Sequence, residues 1–440
     1  MASENSTYDV AIVGGGLAGL TAAAYVARAG RTVIVLERAA GLGGRAQTRE
    51  SNGFRYNQGP HALYQGAEGT EVLAELGVSV TGGRPNVAGA AIRNGRLFQL
   101  PAGGRSLMTT RLFGVRDRVE AARLFVAFRK LASEPPRGIS VAAWLAAESQ
   151  QPSAREYVEA LVRLSTYANA PETIDVTDAA RQLAGASSGV LYLDGGWVTL
   201  VEGLRRAVEA AGGVVETGTR VEAVDQEGHG RVVRLAGGRT IHSRAVILAA
   251  SPAIASQVLS ESAALARIAA ASVPARAACL DVSVSKMPSP RRTFAVGIDV
   301  PLYYSVHTKV ARLAPNGQHT LSVAKYLQPS DPHDPAGTLA ELEAGLDLLQ
   351  PGWRELEVGR QFLPEMTVTT SLPRAVDGGL PGRPGPEVED APGVFVAGDW
   401  VGNHGWLADS VLGSARHAAQ LATAHVQAGS LASPGLASVS

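Results

Sequence analysis

The sequence of 440 residues is poor in cysteine and lysine, with a single cysteine, Cys279, and four lysines. One cysteine excludes an intramolecular disulfide and a C-x-x-C redox pair, which is typical of a protein of the reducing cytoplasm. No apolar run reaches the roughly 18 residues of a membrane-spanning helix. Excess charge is also absent, since 40 basic residues balance 40 acidic ones, and nothing favours nucleic acid as a partner. The histidines show no metal-ligand spacing, so we expect no bound metal.

What the chain does have is an ordinary globular composition, with 45% hydrophobic and 18% charged residues. Its length exceeds what one hydrophobic core usually organises, so we expect two or three domains. The sequence contains no internal repeat that would indicate a solenoid or a propeller.

The N-terminal region carries a complete strand–turn–helix–strand pattern. Residues 10–13 form a short apolar strand, a glycine-rich turn follows, and an alanine-rich helix runs to Arg28 before a second apolar strand. The turn fits G-x-G-x-x-G at Gly14, Gly16 and Gly19. Such glycines permit a tight turn, a close backbone approach to a pyrophosphate, and close helix–sheet packing. The pattern predicts a dinucleotide-binding unit.

The anion site of this unit is the first turn of the helix, at Leu17 and Ala18. Free backbone N–H groups and the helix dipole favour a negative charge there. Glu37 ends the second strand, at the distance from the glycines expected of a carboxylate that accepts both hydroxyls of an adenosine ribose. This carboxylate would repel a 2′-phosphate, so the predicted nucleotide lacks one.

The residues after Glu37 indicate which dinucleotide is bound. Arg38 is followed after a short spacer by Gly43-Gly44-Arg45. This arrangement resembles the flavin amine oxidase and phytoene desaturase superfamily, which has the glutathione-reductase-type FAD fold. Gly43 and Gly44 let backbone amides approach the cofactor, and Arg45 offers a charged fork to phosphate or flavin oxygens. The resemblance implies FAD as the cofactor, with Arg38 among its contacts.

A second stretch, residues 53–61, resembles the family segment that passes close to the isoalloxazine ring. It contains Gly59 and His61. The chain has Asn57-Gln58 where the family usually has an acid or a small residue. This departure affects the expected local contacts and leaves the cofactor assignment as it is.

Two later stretches complete the resemblance. In the family, the strand that contains the residue equivalent to Val221 binds the adenine through its main chain. Gly398-Asp399 ends an apolar strand, and by resemblance Asp399 bonds the ribityl chain or a phosphate oxygen. Leu407 and Ala408 precede a last helix, predicted over 411–425, whose N-terminus points at the flavin pyrimidine in the family. That placement stabilises the negative charge of reduced flavin.

The spacing of these motifs predicts an α/β fold in which an FAD-binding Rossmann-like domain is assembled from three segments. An α+β substrate domain is inserted between them. The predicted boundaries are 1–65, 190–250 and 390–428 for the FAD-binding segments, 66–189 for a mainly helical insert, 251–389 for an insert with an antiparallel sheet, and 429–440 for a disordered tail.

The catalytic residues stay open at this stage. His61 can act as an acid, a base or a hydrogen-bond donor, or be a structural histidine bonded to backbone. Lys309 lies in the general region of the lysine that holds a water against flavin N5 in many amine oxidases, although no local motif anchors the match. Trp406 can form an aromatic wall for a substrate or pack in the core. Cys279 lies outside the motifs near the flavin, so we expect no thioether link to the cofactor.

The segment Arg111–Leu131 alternates apolar and basic residues at helical spacing. Such a basic amphipathic helix can lie in a membrane interface, as in carotenoid-type desaturases. It can equally be an ordinary substrate-domain helix with a solvated basic face. The sequence leaves both interpretations open, and with them a peripheral membrane contact of an otherwise cytoplasmic protein.

No second dinucleotide fingerprint follows, so an NAD(P)H domain is not expected. Electrons then enter from a small organic substrate and leave to oxygen or another small acceptor. The first interpretation is a dehydrogenase or desaturase of a lipophilic, isoprenoid-like compound, because the Gly-Asp-Trp ending at 398–400 resembles the phytoene-dehydrogenase-like branch. The second is an amine or amino-acid oxidase. The third is a non-enzymatic prenyl-lipid carrier of the same fold, which the intact glycines, Glu37, Arg45 and Asp399 disfavour.

Overall fold

The computed structural model describes residues 5–86, 88–101, 104–133 and 138–431. The strands of these residues are β1 (Asn5–Val13), β2 (Val33–Leu36), β3 (Thr48–Ser51), β4 (Phe54–Asn57), β5 (Leu63–Tyr64), β6 (Gly82–Gly83), β7 (Ala90–Arg93), β8 (Arg96–Gln99), β9 (Val190–Leu193), β10 (Val214–Glu216), β11 (Val221–Glu227), β12 (Gly230–Leu235), β13 (Thr240–Leu248), β14 (Ala275–Val284), β15 (Phe294–Gly297), β16 (Leu302–Ser305), β17 (His319–Leu327), β18 (Glu357–Thr369) and β19 (Val394–Val396). The α-helices are α1 (Leu17–Arg28), α2 (Glu68–Glu75), α3 (Gly104–Thr109), α4 (Val115–Lys130), α5 (Val141–Glu148), α6 (Pro152–Thr166), α7 (Val176–Gly185), α8 (Val198–Ala210), α9 (Pro252–Val258), α10 (Ala263–Ala271), α11 (Pro335–Leu349) and α12 (Leu407–Leu431).

One sheet contains the N-terminal strand–turn–helix–strand unit. Its strands run in the order β10–β2–β1–β13–β12–β11, and β19 pairs with the last residues of β13. The central strand β1 is parallel to β2 and β13, with Ile12 opposite Val35 and Ile247. These strands come from three stretches of the chain that are far apart in sequence. The α/β fold class expected from the motifs is confirmed.

Both faces of this sheet are buried, as parallel strands require. On one face Val10 and Ile12 belong to a core shared with α1, α8 and α12. On the other face Ala11 and Val13 pack with residues of β11, β12 and α9. Ala22 and the two alanines after it in α1 are fully buried. Their small side chains let the helix lie close to the sheet, and its N-terminus is thereby held at the carboxyl ends of β1 and β2.

A second sheet has the order β18–β14–β17–β16–β15–β7–β8. Its pairings are antiparallel except that of β15 with β7. The strands β7 and β8 come from residues 66–189, which were expected to be mainly helical and which also supply α2 to α7. That expectation was incomplete, because the short β7–β8 hairpin has no long alternating run and is ordered by pairing with β15.

The two faces of the second sheet lead to different partners. Tyr303 packs with the helical residues of α4, α6 and α7. Its neighbour Tyr304 lies on the other face, in the core formed with α11. The face that carries Tyr303 also carries Cys279, Ala324 and Tyr326. It is therefore this face that closes over the carboxyl ends of the first sheet.

Two predicted boundaries differ from the structure. The basic amphipathic helix begins at Val115, not at residue 111, because Gly114 adopts an extended N-cap conformation. Helix α12 extends to Leu431, so residues 429–431 continue a helix and are not part of a disordered tail. The rest of that predicted tail, 432–440, lies outside the described residues. Within the described part of the chain, no helix is long and apolar enough to cross a membrane.

Candidate active site

A cavity of about 660 Å³ lies between the glycine-rich turn of the first sheet and the inner face of the second. It is lined by most residues that the sequence motifs single out for the cofactor: Gly14, Gly16, Leu17, Ala18, Glu37, Arg38, Gly43, Gly44, Arg45, Val221, Gly398, Asp399, Leu407 and Ala408. These residues come from segments up to about 390 positions apart. The fold brings them to one continuous wall.

The three glycines of the fingerprint have different tasks. Gly14 has a φ of 110°, and a Cβ there would lie 2.5 Å from the carbonyl oxygen of Ala249. A Cβ at Gly19 would overlap the carbonyl oxygen of Gly14, so Gly19 serves helix packing and does not itself line the cavity. At Gly16 a Cβ would meet only the Gly43 oxygen, at 3.9 Å. Gly16 therefore leaves open the space in front of α1.

Helix α1 begins at this open space without a side-chain cap. The first N–H groups of a helix have no acceptor within it, and the helix dipole adds positive potential at that end. The first turn of α1 contains no acidic residue that could satisfy these donors. Gly44, also in the cavity wall, has a φ of 53° and no atom within 4 Å of a Cβ built on it. This cradle of bare backbone fits a pyrophosphate.

Glu37 lies beside the cradle and is held by backbone donors. Its Oε2 accepts the Gly15 N–H at 2.7 Å, and its Oε1 accepts the Ala39 N–H at 2.8 Å. A carboxylate oxygen can accept more than one hydrogen bond. Glu37 is thus oriented by the turn and keeps acceptor capacity for ribose hydroxyls.

Arg45 and Asp399 form an ion pair across the cavity wall. Arg45 Nη1 lies 2.5 Å from Asp399 Oδ2, and the carboxylate is 2% exposed whereas Arg45 is 40% exposed. Thr370 donates its N–H to the same oxygen at 3.0 Å and its hydroxyl to the other. Burial opposes ionisation, but Arg45 and Thr370 outweigh it and hold the pKa of Asp399 below its ordinary value. Asp399 is therefore a fixed negative charge.

The turn before α12 is strained at the point where it meets the cavity. Leu407 has a φ of 53° and Gly405 a φ of 90°. A left-handed leucine is unfavourable and persists only where its surroundings hold it. Trp406, for which the sequence left a substrate wall and core packing both open, is buried in the substrate-domain core and does not line this cavity. The positive φ of Leu407 turns the backbone so that Leu407 and Ala408, not Trp406, face the site.

His61 lies in the cavity wall with its ring against Trp197, the centroids being 4.6 Å apart. Its Nδ1 lies 2.9 Å from the Gly59 carbonyl oxygen. A carbonyl only accepts, so Nδ1 donates, and burial lowers the pKa of the ring. His61 is a neutral imidazole with Nε2 as an acceptor. Gly59 itself does not line the cavity; a Cβ there would collide with Met366 Sδ.

Lys309 does not reach the site. It ends a short 3₁₀ turn after β16, is exposed, and is absent from the cavity lining. Its predicted role beside flavin N5 is wrong, because the 3₁₀ turn that begins at the buried His307 ends with Lys309 at the surface. Cys279, expected away from the flavin, lines the cavity as a buried thiol, with Sγ 3.4 Å from Met366 Sδ. Burial raises the pKa of this thiol.

Sequence reasoning missed the residues that the second sheet contributes. The inner face of the second sheet also carries four polar residues that do not line the cavity. They lie side by side on adjacent strands: Gln361, Asp281, Ser322 and Ser305. Asp281 is 5% exposed, and burial raises its pKa to about 6. The sequence feature that could have indicated Asp281 is a lone aspartate within an apolar strand, Ala275–Val284.

The stability of the protein is expected to depend on Asp281 between pH 5 and pH 8. A carboxyl whose folded pKa is raised favours the folded state at low pH, and this contribution is lost as the pH rises through about 6. Asp281→Asn removes the titration. Its free energy of unfolding relative to wild type should increase by about 1 kcal/mol from pH 5 to pH 8. Thermal melts of both proteins across this range measure it, and a constant difference would contradict the role.

Comparison with known proteins finds a matching family and several relatives that resemble part of the chain. The family model of the flavin containing amine oxidoreductases matches residues 17–326. A carotenoid 3,4-desaturase of Haloarcula japonica is 52% identical over 58 residues, 13% of this chain and 12% of that protein. One of the subunits of a limonene dehydrogenase from Castellaniella defragrans is 31% identical over 138 residues, 30% of this chain and 25% of that protein. The chain thus matches a quarter or less of these curated relatives.

Solved structures resemble nearly the whole chain. A triple mutant of putrescine oxidase superposes with a TM-score of 0.76 at 17% identity and covers 96% of this chain and 99% of its own. Cyclohexylamine oxidase of Brevibacterium oxydans superposes with a TM-score of 0.74 at 17% identity and the same coverage. At this identity the likeness concerns the fold.

The family match spans more than half of the chain and includes helix α1 after the glycine turn, the ion-paired arginine and most of the second sheet. A flavin enzyme accounts for the bare glycine cradle, for Glu37 and for the buried Asp399, which a non-enzymatic prenyl-lipid carrier would not need. The chain therefore belongs to the flavin containing amine oxidoreductase family, and its glycine cradle fits FAD.

Proposed function

We propose that the protein is a dehydrogenase or desaturase that removes hydride from a neutral, lipophilic substrate of isoprenoid-like character. The observation that carries this proposal is the chemistry of the cavity wall opposite the glycine cradle. The second sheet contributes only apolar, sulfur-containing, hydroxyl or aromatic side chains to it: Ala277, Cys279, Ala324, Tyr326, Met366, Thr367 and Val368. Tyr167 and Trp197 extend this wall.

The charges of the cavity all lie on the nucleotide side. Among the described lining residues the acids and bases other than His61 are Glu37, Arg38, Arg45, Arg220, Glu222 and Asp399. An ammonium group brought against the second sheet would lose its hydration with no carboxylate in the wall to pair with, at a cost of several kcal/mol. A neutral apolar molecule has no such cost and gains from burial.

The residues of the wall have distinct parts in this reaction. FAD, when bound, supplies the hydride acceptor. The rings of Trp197 and Tyr326 confine an apolar chain and exclude water. Removal of hydride leaves a proton to be taken from the adjacent carbon, and the neutral Nε2 of His61 is an acceptor in the same wall. We assign His61 as that base.

Two of the relatives support the same substrate class. One is a carotenoid desaturase and the other belongs to a limonene dehydrogenase. Oxygen or another small molecule is the proposed electron acceptor, because the chain has no second nucleotide fingerprint. We propose the cytoplasm as the location, from the single cysteine and the absence of long apolar runs in the sequence.

Amine oxidation is the second candidate, favoured by one observation. Tyr167, Trp197 and Tyr326 present aromatic rings to the cavity, and such rings attract an alkylammonium ion by about 0.5–2 kcal/mol. This attraction is smaller than the desolvation cost of a buried cation. A primary amine entering as the free base would avoid that cost.

Anaerobic bleaching of the bound flavin separates the two candidates. One panel contains amines and amino acids, and the other contains apolar polyenes and cyclic monoterpenes in detergent. We expect bleaching by the apolar panel alone. His61→Gln should slow that bleaching at least about tenfold, as loss of a general base does, without loss of FAD. Bleaching by an amine would overturn the proposed substrate class.

A membrane contact at α4 is part of the proposal. Val115, Val119 and Val126 are 72%, 55% and 56% exposed and share one stripe of the helix, with Arg116, Arg129 and Lys130 exposed beside them. Valines flanked by cations suit an anionic bilayer surface. In the apolar panel, Val119→Asp should slow bleaching when the compound is delivered in anionic vesicles and not when it is in detergent. Equal bleaching rates of Val119→Asp and wild type in vesicles would contradict the membrane contact and indicate that α4 is an ordinary solvated helix.

A further inference from the structure

Arg383 lies in the loop between β18 and β19, outside every sequence motif of the cofactor site. Its Nη1 donates to the Gly405 carbonyl oxygen and to Ser410 Oγ, both at 3.2 Å. Its Nη2 donates to the Ser371 carbonyl oxygen at 3.1 Å. Gly405 and Ser410 flank the strained Leu407, so this guanidinium holds the turn from behind while Leu407 and Ala408 face the cavity.

The charge of Arg383 is not neutralised by a direct partner. No ion pair among the described residues includes it, and its Nε is buried without a hydrogen-bond partner. Asp399 and Asp178 are close enough to act on it, but Asp399 is already paired with Arg45. Burial lowers the pKa of Arg383 to about 10, so the guanidinium stays protonated at neutral pH.

This position is unfavourable for the protein alone. A cation at the N-terminus of a helix opposes the helix dipole, and α12 is 25 residues long. Burial of an unpaired guanidinium adds a desolvation cost. The three hydrogen bonds to neutral acceptors offset part of this cost and would form equally with an uncharged donor. The positive charge is explained if a negative charge develops on the other side of the turn.

We propose that Arg383 is a positioning residue whose charge adds to the dipole of α12 and stabilises the anionic form of the bound flavin. Its field acts through the turn at Leu407 and Ala408, where it has the same sign as the helix N-terminus. Asp399 is paired with Arg45, so its charge is largely compensated before it can act on Arg383. The other acids at this turn are Asp178 and, in the first turn of α12, Asp409, and burial raises the pKa of both carboxyl groups. The inference requires bound FAD and is independent of the substrate proposed above.

Sulfite tests the inference without a substrate, because it adds to flavin and leaves the ring anionic. The sulfite dissociation constant and the midpoint potential are measured on purified holoenzyme of Arg383→Met, Arg383→Gln, Arg383→Lys and Ser410→Ala. Arg267→Met is the matched control, since Arg267 borders the same surface groove and is 75% exposed. We expect the neutral variants to bind sulfite at least about tenfold more weakly and to have lower potentials. The sulfite dissociation constants should stay within about threefold of wild type in Arg383→Lys, Ser410→Ala and the control Arg267→Met.

Several results would overturn the proposed role of the Arg383 charge. Neutral variants that keep FAD with unchanged sulfite affinity overturn the proposal. The proposal is also overturned if Arg383→Lys binds sulfite as weakly as the neutral variants, or if Ser410→Ala binds it as weakly as Arg383→Met. In either case the hydrogen bonds, and not the charge, would determine the sulfite affinity. If both neutral variants lose FAD, retention by Arg383→Lys supports the role of the charge, and loss in Arg383→Lys contradicts it.

Discussion

Replacing Gly16 by valine should give a folded protein that contains no flavin. The Cβ itself finds room, with its nearest neighbour 3.9 Å away, so the βαβ unit is not disturbed. The valine methyl groups then occupy the space in front of α1 where the pyrophosphate meets the helix N–H groups. We expect FAD affinity to fall by at least about 100-fold, equivalent to about 2.7 kcal/mol. Visible flavin absorbance per protein after purification, and titration of apoprotein with FAD, measure the loss.

Gly114→Val is the matched control for this prediction. Gly16 and Gly114 are both N-cap residues with negative φ and extended ψ, and Gly114 has no atom within 4 Å of a built Cβ. Gly114 precedes α4, away from the cavity. The control should keep one FAD per chain and wild-type circular dichroism. Stoichiometric flavin in Gly16→Val would show that the cofactor does not lie on this turn.

Arg45→Met should lose FAD and also destabilise the apoprotein. The substitution leaves the carboxylate of Asp399, 2% exposed, without its partner at 2.5 Å. Removing one member of a buried ion pair typically costs about 3–5 kcal/mol. Because Arg45 is 40% exposed, we expect the lower end of that range. Thermal or urea unfolding of the apoprotein measures the change independently of FAD.

A second substitution distinguishes the ion pair from a general loss of packing. In Arg45→Met/Asp399→Asn the buried charge is gone, and apoprotein stability should return to within about 1 kcal/mol of wild type while FAD binding stays lost. Arg38→Met is the matched control, because Arg38 lines the same cavity and is exposed. It should weaken FAD binding without lowering apoprotein stability. A double variant no more stable than Arg45→Met would refute the ion-pair account.

The sequence alone was sufficient where structure is local. The turn at Gly14, Gly16 and Gly19, the carboxylate of Glu37 and the Gly43-Gly44-Arg45 stretch are each defined by a few adjacent residues. Their backbone conformations follow from residue type, since only glycine readily adopts the φ of 110° seen at Gly14. The family resemblance joined these local signals into an FAD domain of three segments.

Tertiary structure decided which side chains reach the cavity from the second sheet. Tyr326 and Cys279 face it because β14, β16 and β17 pair in one register, and a shift by one residue would turn both away. Tertiary structure also placed Lys309 outside the site and decided between the two interpretations of Trp406. The 3₁₀ turn His307–Lys309 ends with Lys309 at the surface, and the positive φ of Leu407 accompanies the burial of Trp406 in the core.

Arg383 shows most clearly what the sequence could not reveal. It is one arginine among many, in a loop rich in glycine and proline, and no spacing links it to Gly405 or Ser410. The sequence by itself determined the cofactor, because a nucleotide is bound mainly by backbone whose shape a short motif encodes. Only the tertiary structure decided the polarity of the substrate wall and the charge behind α12, because both depend on side chains from distant segments that meet through packing.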